Sequence, residues 1–194
     1  MMQRYNIALL PVDAELATYC VGFAQQNFST QQDAYLLGND AVAHVTLCQF
    51  HAEAADIAKL WPKLRAMNAK QLCALSFAHL YFGAGRNDHT GMIWAGFAVA
   101  PQENLSELQA GVHDLVAAQG LQPLTAKGAD YFPHLTLARL DVFASLTVQN
   151  WPEQEFWDQR HGFGLSLGLS DENGVYQQCL HADFECEAVR ATAL

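Results

Sequence analysis

Two histidine and threonine pairs are the residues of this chain whose types and spacing could do chemistry. The tetrapeptide His-x-Thr-Leu occurs at His44–Leu47 and at His134–Leu137, and nowhere else in the 194 residues. With 8 His, 8 Thr and 25 Leu, chance placement would produce roughly 0.04 copies. A histidine exchanges a proton near neutral pH, and a threonine hydroxyl donates a hydrogen bond without adding charge. The repetition therefore predicts two matched halves of one site.

Each tetrapeptide lies in an apolar run typical of a β-strand, the first predicted over Ala41–Phe50 and the second over Phe132–Val142. Alternate residues of a strand share one face. The histidine and threonine of each pair therefore project together on one side, while the apolar residues between and after them anchor the strand in a core. Two such strands facing each other would form a symmetric site.

Two imidazoles on opposite walls of a cleft suit general acid and base catalysis. One ring takes a proton from an incoming hydroxyl while the other gives a proton to the departing oxygen. The unperturbed pKa of about 6.5 leaves both forms of histidine accessible near neutral pH. The threonine hydroxyls would hold non-bridging oxygens, and a phosphodiester is the group that readily uses all four side chains at once.

The two HxTL strands, about ninety residues apart, resemble those of the two-histidine (2H) phosphoesterase superfamily. The heptapeptide PHLTLAR at Pro133–Arg139 is similar to the second motif of its bacterial 2′-5′ RNA ligase and 2′,3′-cyclic phosphodiesterase branch. The resemblance implies a bilobed fold and hydrolysis of 2′,3′-cyclic or related phosphodiesters of nucleotides or short RNA ends. It also implies catalysis without a metal or another cofactor. The catalytic residues that it implies are His44, Thr46, His134 and Thr136.

Related enzymes suggest His134 as the base that activates water and His44 as the acid that protonates the leaving ribose oxygen. If the two roles were exchanged, the other ring oxygen would leave and the other monophosphate isomer would form. Around the first motif, the lead-in Ala-Val-Ala and the continuation Cys-Gln-Phe depart from the pattern of the closest branch. The substrate therefore stays open within the superfamily.

Five more residues are candidates for substrate binding, because they lie beside the motifs or on a strand that could line the cleft: Arg139, Tyr131, Phe132, His79 and Tyr81. The two aromatic residues before His134 could stack on a nucleobase. Arg139 could bind phosphate, but on a regular strand it faces away from His134, and a bulge would be needed to turn it. A loop over Gly83–Gly91 carries Arg86 and His89, which could close over a substrate.

The charge balance limits the class of substrate. The formal net charge is −10, from 10 Lys and Arg against 20 Asp and Glu. Proteins that hold long nucleic acids need a basic surface, so we expect a small substrate or a chain end in a local pocket. No apolar run reaches the ~18 residues of a membrane span, and five cysteines without a CxxC pair indicate reduced thiols. We expect a cytoplasmic monomer that binds no membrane.

Hydrophobic periodicity and turn signals predict the other elements. The expected strands are Arg4–Val12, Gln71–Phe82, Met92–Ala100, His161–Ser170 and Val175–Glu185, and the expected helices are Ala14–Asn27, Glu53–Met67 with a kink at Pro62, Gln102–Gln119 and Pro152–Trp157. The small residues from Gly162 to Gly168 predict a close approach to that strand, with a helix as the simplest partner.

Both halves of the chain run strand, helix, motif strand, shorter helix, strand. This order predicts an α+β fold of two pseudo-symmetric lobes, with mostly antiparallel sheets, flanking helices and the HxTL strands walling a central cleft. We expect one domain over residues 1–194, with pseudo-repeats of about 1–90 and 91–194.

Two other functions remain open from the sequence. One is a non-catalytic nucleotide-binding module that has kept the cleft but lost turnover, although two proton-transfer groups argue against a pure binder. The other is a 2′-5′ RNA ligase or nuclease acting on structured RNA, which a basic rim around the cleft would favour. A zinc site built on the two motif histidines also stays open, but no neighbouring Asp, Glu or Cys completes a ligand set.

Overall fold

A computed structural model of the chain describes residues 1–28, 35–38, 41–67, 73–85, 90–141 and 147–184. Eight strands and four helices follow one another in these ranges: β1 (Gln3–Pro11), α1 (Ala14–Phe28), β2 (Val45–Ala52), α2 (Ala54–Met67), β3 (Cys73–Leu75), β4 (Phe77–Ala84), β5 (Met92–Val99), α3 (Glu103–Ala118), β6 (His134–Asp141), α4 (Gln154–Asp158), β7 (His161–Ser170) and β8 (Tyr176–Ala182). A short 3-10 turn at Gly128–Asp130 precedes β6. None of the helices in the described ranges is long and apolar enough to span a bilayer.

The strands form one antiparallel sheet in the order β3-β7-β1-β2-β6-β5-β4, and β8 also pairs with β7. The two motif strands, β2 and β6, are neighbours at its centre and meet at a single pair, Val45 with Leu135. Four strands therefore lie on the far side of β2 and two on the far side of β6. The predicted α+β class, with antiparallel strands and two lobes around the motif strands, is confirmed.

Beyond their one shared pair, β2 and β6 each bind the segment that leads into the other motif. Leu36 forms a bridge with Ala138 on β6, and Pro123 forms a bridge with Phe50 on β2. The helices cross in the same way, because α1 packs on β6 and α3 packs on β2. The two lobes are thus tied together at the motif strands, which places both tetrapeptides near one approximate two-fold axis.

Each motif strand also has a bulge at the leucine of its tetrapeptide. On β2 the pairing with β1 passes from Cys48 directly to Thr46, and on β6 the pairing with β5 passes from Ala138 directly to Thr136. An extra residue in one strand reverses the alternation of faces beyond it. The side chains at 49 and 139 therefore return to the face of the motif threonines. The prediction that Arg139 points away from His134 is wrong for this reason.

The helices and the cleft lie on opposite faces of the sheet. On β1, Tyr5, Ile7 and Leu9 are buried in the main hydrophobic core against α1, where Leu16 and Phe23 meet them. Residues 8 and 10 of the same strand face the other way, into a small cluster with Tyr176. Alternation along a strand requires this separation, and it leaves the second face of the sheet free to carry a site.

Three further elements differ from the sequence prediction. The strand expected over Gln71–Phe82 is two strands in its described part, because Ser76 separates β3, which pairs with β7, from β4, which pairs with β5. Helix α2 continues through Pro62 as one helix. Strand β8 ends at Ala182, and residue 185 of the predicted strand lies outside the described ranges.

Aromatic rings, and not a helix, approach the small residues of β7. A Cβ on Gly164 would lie 2.1 Å from the ring of Phe184, and a Cβ on Gly168 would lie 2.5 Å from the hydroxyl of Tyr176. The expectation of a close approach is confirmed, but the helix was the wrong partner. The glycines allow Tyr176 to lie flat against the cleft face of the sheet.

Candidate active site

All four motif side chains line one cleft of about 290 Å³ on the helix-free face of the sheet. Its walls come from the motif strands, from β1 and β5, from the segment at 124–125 and from the loop between β7 and β8: Arg4, Tyr35, His44, Thr46, Gln49, Trp94, Leu124, Thr125, His134, Thr136, Asn173, Gly174 and Val175. Among the residues that the structure describes, this lining contains no carboxylate, although the chain has 20 Asp and Glu. The cleft is thus far less acidic than the protein that carries it.

The two imidazoles are held in the same way. His44 Nδ1 lies 2.7 Å from the carbonyl oxygen of Val42, and His134 Nδ1 lies 2.8 Å from that of Phe132. A carbonyl oxygen only accepts hydrogen bonds, so Nδ1 must donate in both rings. In the neutral state, Nε2 of each ring then carries the lone pair. Nε2 is therefore the atom through which either histidine would take or give a proton.

Burial makes both rings reluctant to carry a charge. It lowers the pKa of His44 to about 4, against the raising effect of the hydrogen bond to Val42. It also lowers the pKa of His134. A proton on His134 lowers the pKa of His44 further. In the empty cleft at neutral pH both imidazoles are therefore neutral.

The lowered pKa of His44 predicts a loss of stability in mild acid. The unfolded chain protonates this histidine near pH 6.5, whereas the folded chain resists until about pH 4, so the stabilisation present above pH 6.5 is lost as the pH falls towards 4. The difference corresponds to about 3 kcal/mol. Urea unfolding at pH 7.5 and pH 4.5 should show that His44→Asn removes about this much of the pH dependence.

The matched control is His51→Asn, since His51 lies exposed on the same strand. We expect this variant to keep the pH dependence of the natural chain. An unchanged pH dependence in His44→Asn would contradict a buried, neutral His44.

Aromatic rings pack against both imidazoles. The ring of Tyr176 lies 5.2 Å from that of His44. On the other side, the ring of Tyr81 meets His134 edge to face at 5.2 Å, and that of Phe132 stacks on it at 5.6 Å. Such contacts restrict the ring rotamers. Each histidine is therefore held both by a hydrogen bond to its own strand and by packing from an aromatic neighbour.

A hydrogen-bond network ties β1 and β2 to the loop between β7 and β8. Arg4 Nη2 donates to Gln49 Oε1 at 2.5 Å, and Arg4 Nη1 donates to the carbonyl oxygen of Glu172 at 2.6 Å. Gln49 Nε2 donates to the carbonyl oxygen of Gly174 at 2.9 Å. Gly174 has a φ of 82°, which suits glycine. The turn between β7 and β8 thus forms a wall of the cleft, and Arg4 brings a cation to it.

Arg139 occupies the position that corresponds to Gln49 in the other half. It is 8% exposed, and its guanidinium carbon lies 5.4 Å from the centre of the Trp94 ring. Trp94 lines the cleft, and Arg139 is its cross-strand neighbour on β6 without being part of the described lining. A direct contact of Arg139 with substrate stays a prediction.

The two aromatic residues before His134 line a second, mostly apolar pocket of about 230 Å³. This pocket adjoins the cleft, because Thr46, Thr125 and His134 line both. Phe132 is 49% exposed at its edge, and the hydroxyl of Tyr131 donates to the carbonyl oxygen of Thr46 at 2.8 Å. A flat apolar group attached to a phosphate in the cleft would find a surface here.

The remaining candidates lie apart from the cleft lining. His79 is exposed on β4, and the ring of Tyr81 packs edge to face against His134. Arg86 and His89 fall outside the described residues. Among the described side chains, no three His, Cys, Asp or Glu come together as a group that could hold a metal ion.

Sequence reasoning missed Arg4, Asn6, Gln49, Trp94 and Thr125. Asn6 and Gln49 could have been found as polar residues inside otherwise apolar strands. A buried polar side chain needs a hydrogen-bond partner, so its presence in such a strand indicates a specific contact. The bulge hides this signal in β2, where strict alternation places Gln49 on the wrong face.

No protein-family model and no curated protein sequence matches the chain. Solved structures do match it. The crystal structure of E. coli LigT complexed with 3′-AMP superimposes with a TM-score of 0.57 at 20% identity, over 94% of this chain and 97% of that chain. The crystal structure of a phosphoesterase gives 0.53 at 17% identity, over 93% and 96%. The MHV ns2 PDE domain gives 0.53 at 15% identity, over 86% and 99%. The chain thus has the fold of the 2H phosphoesterases, and its two HxTL tetrapeptides lie at the centre of that sheet.

Proposed function

We propose that this chain is a metal-independent phosphoesterase that opens 2′,3′-cyclic or related cyclic phosphodiesters of nucleotides or short RNA ends. The observation that carries the proposal is the composition of the cleft: two neutral imidazoles, the hydroxyls of Thr46 and Thr136, one arginine and, among the described residues, no carboxylate. This set can donate to a phosphodiester anion from several directions without repelling it. The same set offers both a proton acceptor and a proton donor.

The reaction needs one proton to be taken and one to be given. The base removes a proton from water as the water oxygen bonds to phosphorus, and the acid protonates the ribose oxygen as its bond to phosphorus breaks. We assign the base to His134 and the acid to His44, the order that related enzymes suggest for these positions. Isomer analysis of the monophosphate product tests this order, because exchanged roles would release the other ring oxygen.

The substrate that fits this cleft is small. Among the described residues that line it, Arg4 is the one permanently charged cation, which gives no basic rim for structured RNA. The apolar pocket beside His134 supports a nucleobase as the neighbouring group, stacked on Phe132. Structures of E. coli LigT hold 3′-AMP and NADP+, which also supports a nucleotide.

A cytoplasmic location is part of the proposal. Cys20, Cys48, Cys73 and Cys179 are free thiols among the described residues. Reduced thiols are typical of proteins in a reducing compartment.

Arg4 should contribute attraction for the anionic substrate. We expect Arg4→Gln to raise KM about fivefold, with a smaller effect on kcat, because one charge acting across the cleft contributes about 1 kcal/mol. Initial rates at several salt concentrations would check this, since KM of the natural chain should rise with ionic strength more than that of the variant. Arg160→Gln is the matched control, because Arg160 is exposed and donates to the carbonyl oxygen of Ala74 in β3. Equal KM changes in the two variants would contradict a local role of Arg4.

The function itself is tested with a panel of 2′,3′-cyclic mononucleotides, ADP-ribose cyclic phosphate and 2′-5′ dinucleotides, assayed with EDTA present. We expect ring opening of at least one cyclic phosphate, at a rate that EDTA does not change. Activity that disappears with the chelator would overturn the mechanism. Silence on every substrate, together with tight AMP binding, would favour a nucleotide-binding module, and activity on the 2′-5′ dinucleotides alone would favour a ligase or nuclease.

A further inference from the structure

Each motif threonine has a polar side chain from outside the HxTL segments beside it: Asn6 donates a hydrogen bond to Thr46, and the ring of Tyr81 crosses Gly96, the strand partner of Thr136. We propose that these two side chains, Asn6 and Tyr81, are positioning residues that aim the hydroxyls of Thr46 and Thr136 at the phosphoryl oxygens of the substrate. The inference deepens the proposed function and rests on it.

On one side, Asn6 fixes the role of the Thr46 hydroxyl. Asn6 lies on β1 and is fully buried, and its Nδ2 donates to Thr46 Oγ1 at 3.1 Å. The hydroxyl oxygen is the acceptor in this bond, so its own hydrogen must be donated elsewhere. Thr46 lines the cleft. The amide therefore leaves the hydroxyl as a donor to whatever occupies the cleft.

The amide of Asn6 is a poor choice for stability alone. Its Oδ1 is buried and has no hydrogen-bond partner among the described residues. A buried acceptor without a partner is destabilising, and an apolar side chain of similar shape would avoid that cost. The bond to Thr46 is thus the reason that the structure offers for an amide at this position.

On the other side, Tyr81 reaches Thr136 from two strands away. Tyr81 on β4 is paired with Gly96 on β5, and Gly96 is paired with Thr136 on β6. A Cβ on Gly96 would lie 2.7 Å from the Tyr81 ring. The missing side chain at Gly96 therefore lets the ring lie across β5, which brings its hydroxyl into interaction with Thr136.

Tyr81 acts behind the site and not within it. It does not line either pocket, and its ring packs against His134. Burial raises the pKa of Tyr81, so the phenol stays neutral and keeps its donor hydrogen. Donation to Thr136 would leave that hydroxyl, like the one on Thr46, free to donate into the cleft.

Asn6 and Tyr81 are chemically unrelated and reach their threonines by different routes. Both nevertheless interact with the threonine at the equivalent position of the two motifs. A structural accident would not be expected twice around the same cleft. The common feature is the need to orient two donors before the substrate arrives, which is where preorganised hydrogen bonds act in catalysis.

The test uses Asn6→Leu and Tyr81→Phe, which remove one hydrogen bond each and keep the shape. We expect each to lower kcat about 3- to 10-fold with little change in KM, as the loss of one hydrogen bond implies. Asn6→Leu should leave the thermal unfolding midpoint unchanged or raise it. A merely structural role predicts the opposite, a lower midpoint with the same kcat.

Double variants distinguish orientation of a threonine from a general effect. Asn6→Leu should slow the natural chain and Thr136→Val, but it should have no further effect in Thr46→Val. Tyr81→Phe should show the mirror pattern, with no further effect in Thr136→Val. Such non-additivity is expected only for side chains that act through the same group.

Two failures are distinguishable. If Thr46→Val and Thr136→Val keep full activity, the proposed function loses its phosphate donors and the positioning role falls with it. If they are slow but Asn6→Leu slows Thr46→Val as much as it slows the natural chain, the positioning role alone is overturned. Should Asn6→Leu fail to fold, Asn6→Ala and the Tyr81 pair carry the same comparison.

Discussion

Replacing either motif histidine by alanine lowers kcat for cyclic phosphate hydrolysis by about 10²- to 10⁴-fold, the range expected for loss of a general acid or base. His44→Ala and His134→Ala should each reach this range, because the cleft lining holds no carboxylate that could take over proton transfer. The double variant should lose much less than the product of the two losses, since residues that act as a unit are not additive. Steady-state rates with a 2′,3′-cyclic mononucleotide would measure all three.

The pH profiles of these variants also test the assignment of roles. Loss of the base removes the acidic limb of kcat/KM, and loss of the acid removes the basic limb. We expect the acidic limb to disappear in His134→Ala and the basic limb in His44→Ala. The reverse pattern would mean that the two histidines exchange roles.

The control for both histidines is His79→Ala. His79 lies exposed on β4, a strand of the same lobe as β6, and should be replaceable with full activity. If His79→Ala were as slow as the motif variants, the losses would reflect damage to the sheet and not proton transfer.

The pair of motif strands could be predicted from sequence because the signal is local. Residues two positions apart on a regular strand share one face. This rule holds for His44 and Thr46, and for His134 and Thr136, because both pairs lie before the bulge. The rule fails immediately after it. The bulges occur at Leu47 and Leu137, where the sequence has no glycine or other unusual residue that would indicate them. Strict alternation therefore puts both Gln49 and Arg139 on the face opposite the motif threonines.

The antiparallel, two-lobed architecture also followed from the order of elements, but the crossing of the lobes did not. Which strand a helix covers depends on packing across the whole chain, and the local periodicity of α1 and α3 carries no information about it. The same limit explains why aromatic rings of Tyr176 and Phe184, far from the helices, fill the space above the glycines of β7.

The structure also reveals an asymmetry that the repeated tetrapeptide conceals. His44 packs against Tyr176, and burial together with the nearby His134 lowers its pKa. Tyr81, in contrast, packs against His134 and interacts with Thr136. Acid and base chemistry requires two groups that differ in protonation state. Similar motifs in dissimilar surroundings provide that difference without changing the residue types.

The second large effect is expected at the threonines. Thr46→Val and Thr136→Val should each lower kcat about 10²- to 10³-fold, the cost of removing one donor to a developing oxyanion. Valine keeps the shape and suits a strand, so the loss would isolate the hydroxyl. Thr46→Ser and Thr136→Ser, which keep the hydroxyl, should retain most of the activity.

Thr125→Val is the control that separates donation to substrate from a general need for hydroxyls in the cleft. Thr125 lines the same cleft, but its Oγ1 already accepts from the backbone N–H of Gln49 and lies 3.1 Å from Nε2 of His113. We expect Thr125→Val to lower the unfolding midpoint while kcat stays near that of the natural chain. A kcat loss as large as that of the motif threonines would mean that the position in the cleft, and not the free donor, sets the rate. A small loss of kcat would mean that Thr46 and Thr136, one from each half of the sheet, are the hydroxyls that donate a hydrogen bond to the substrate.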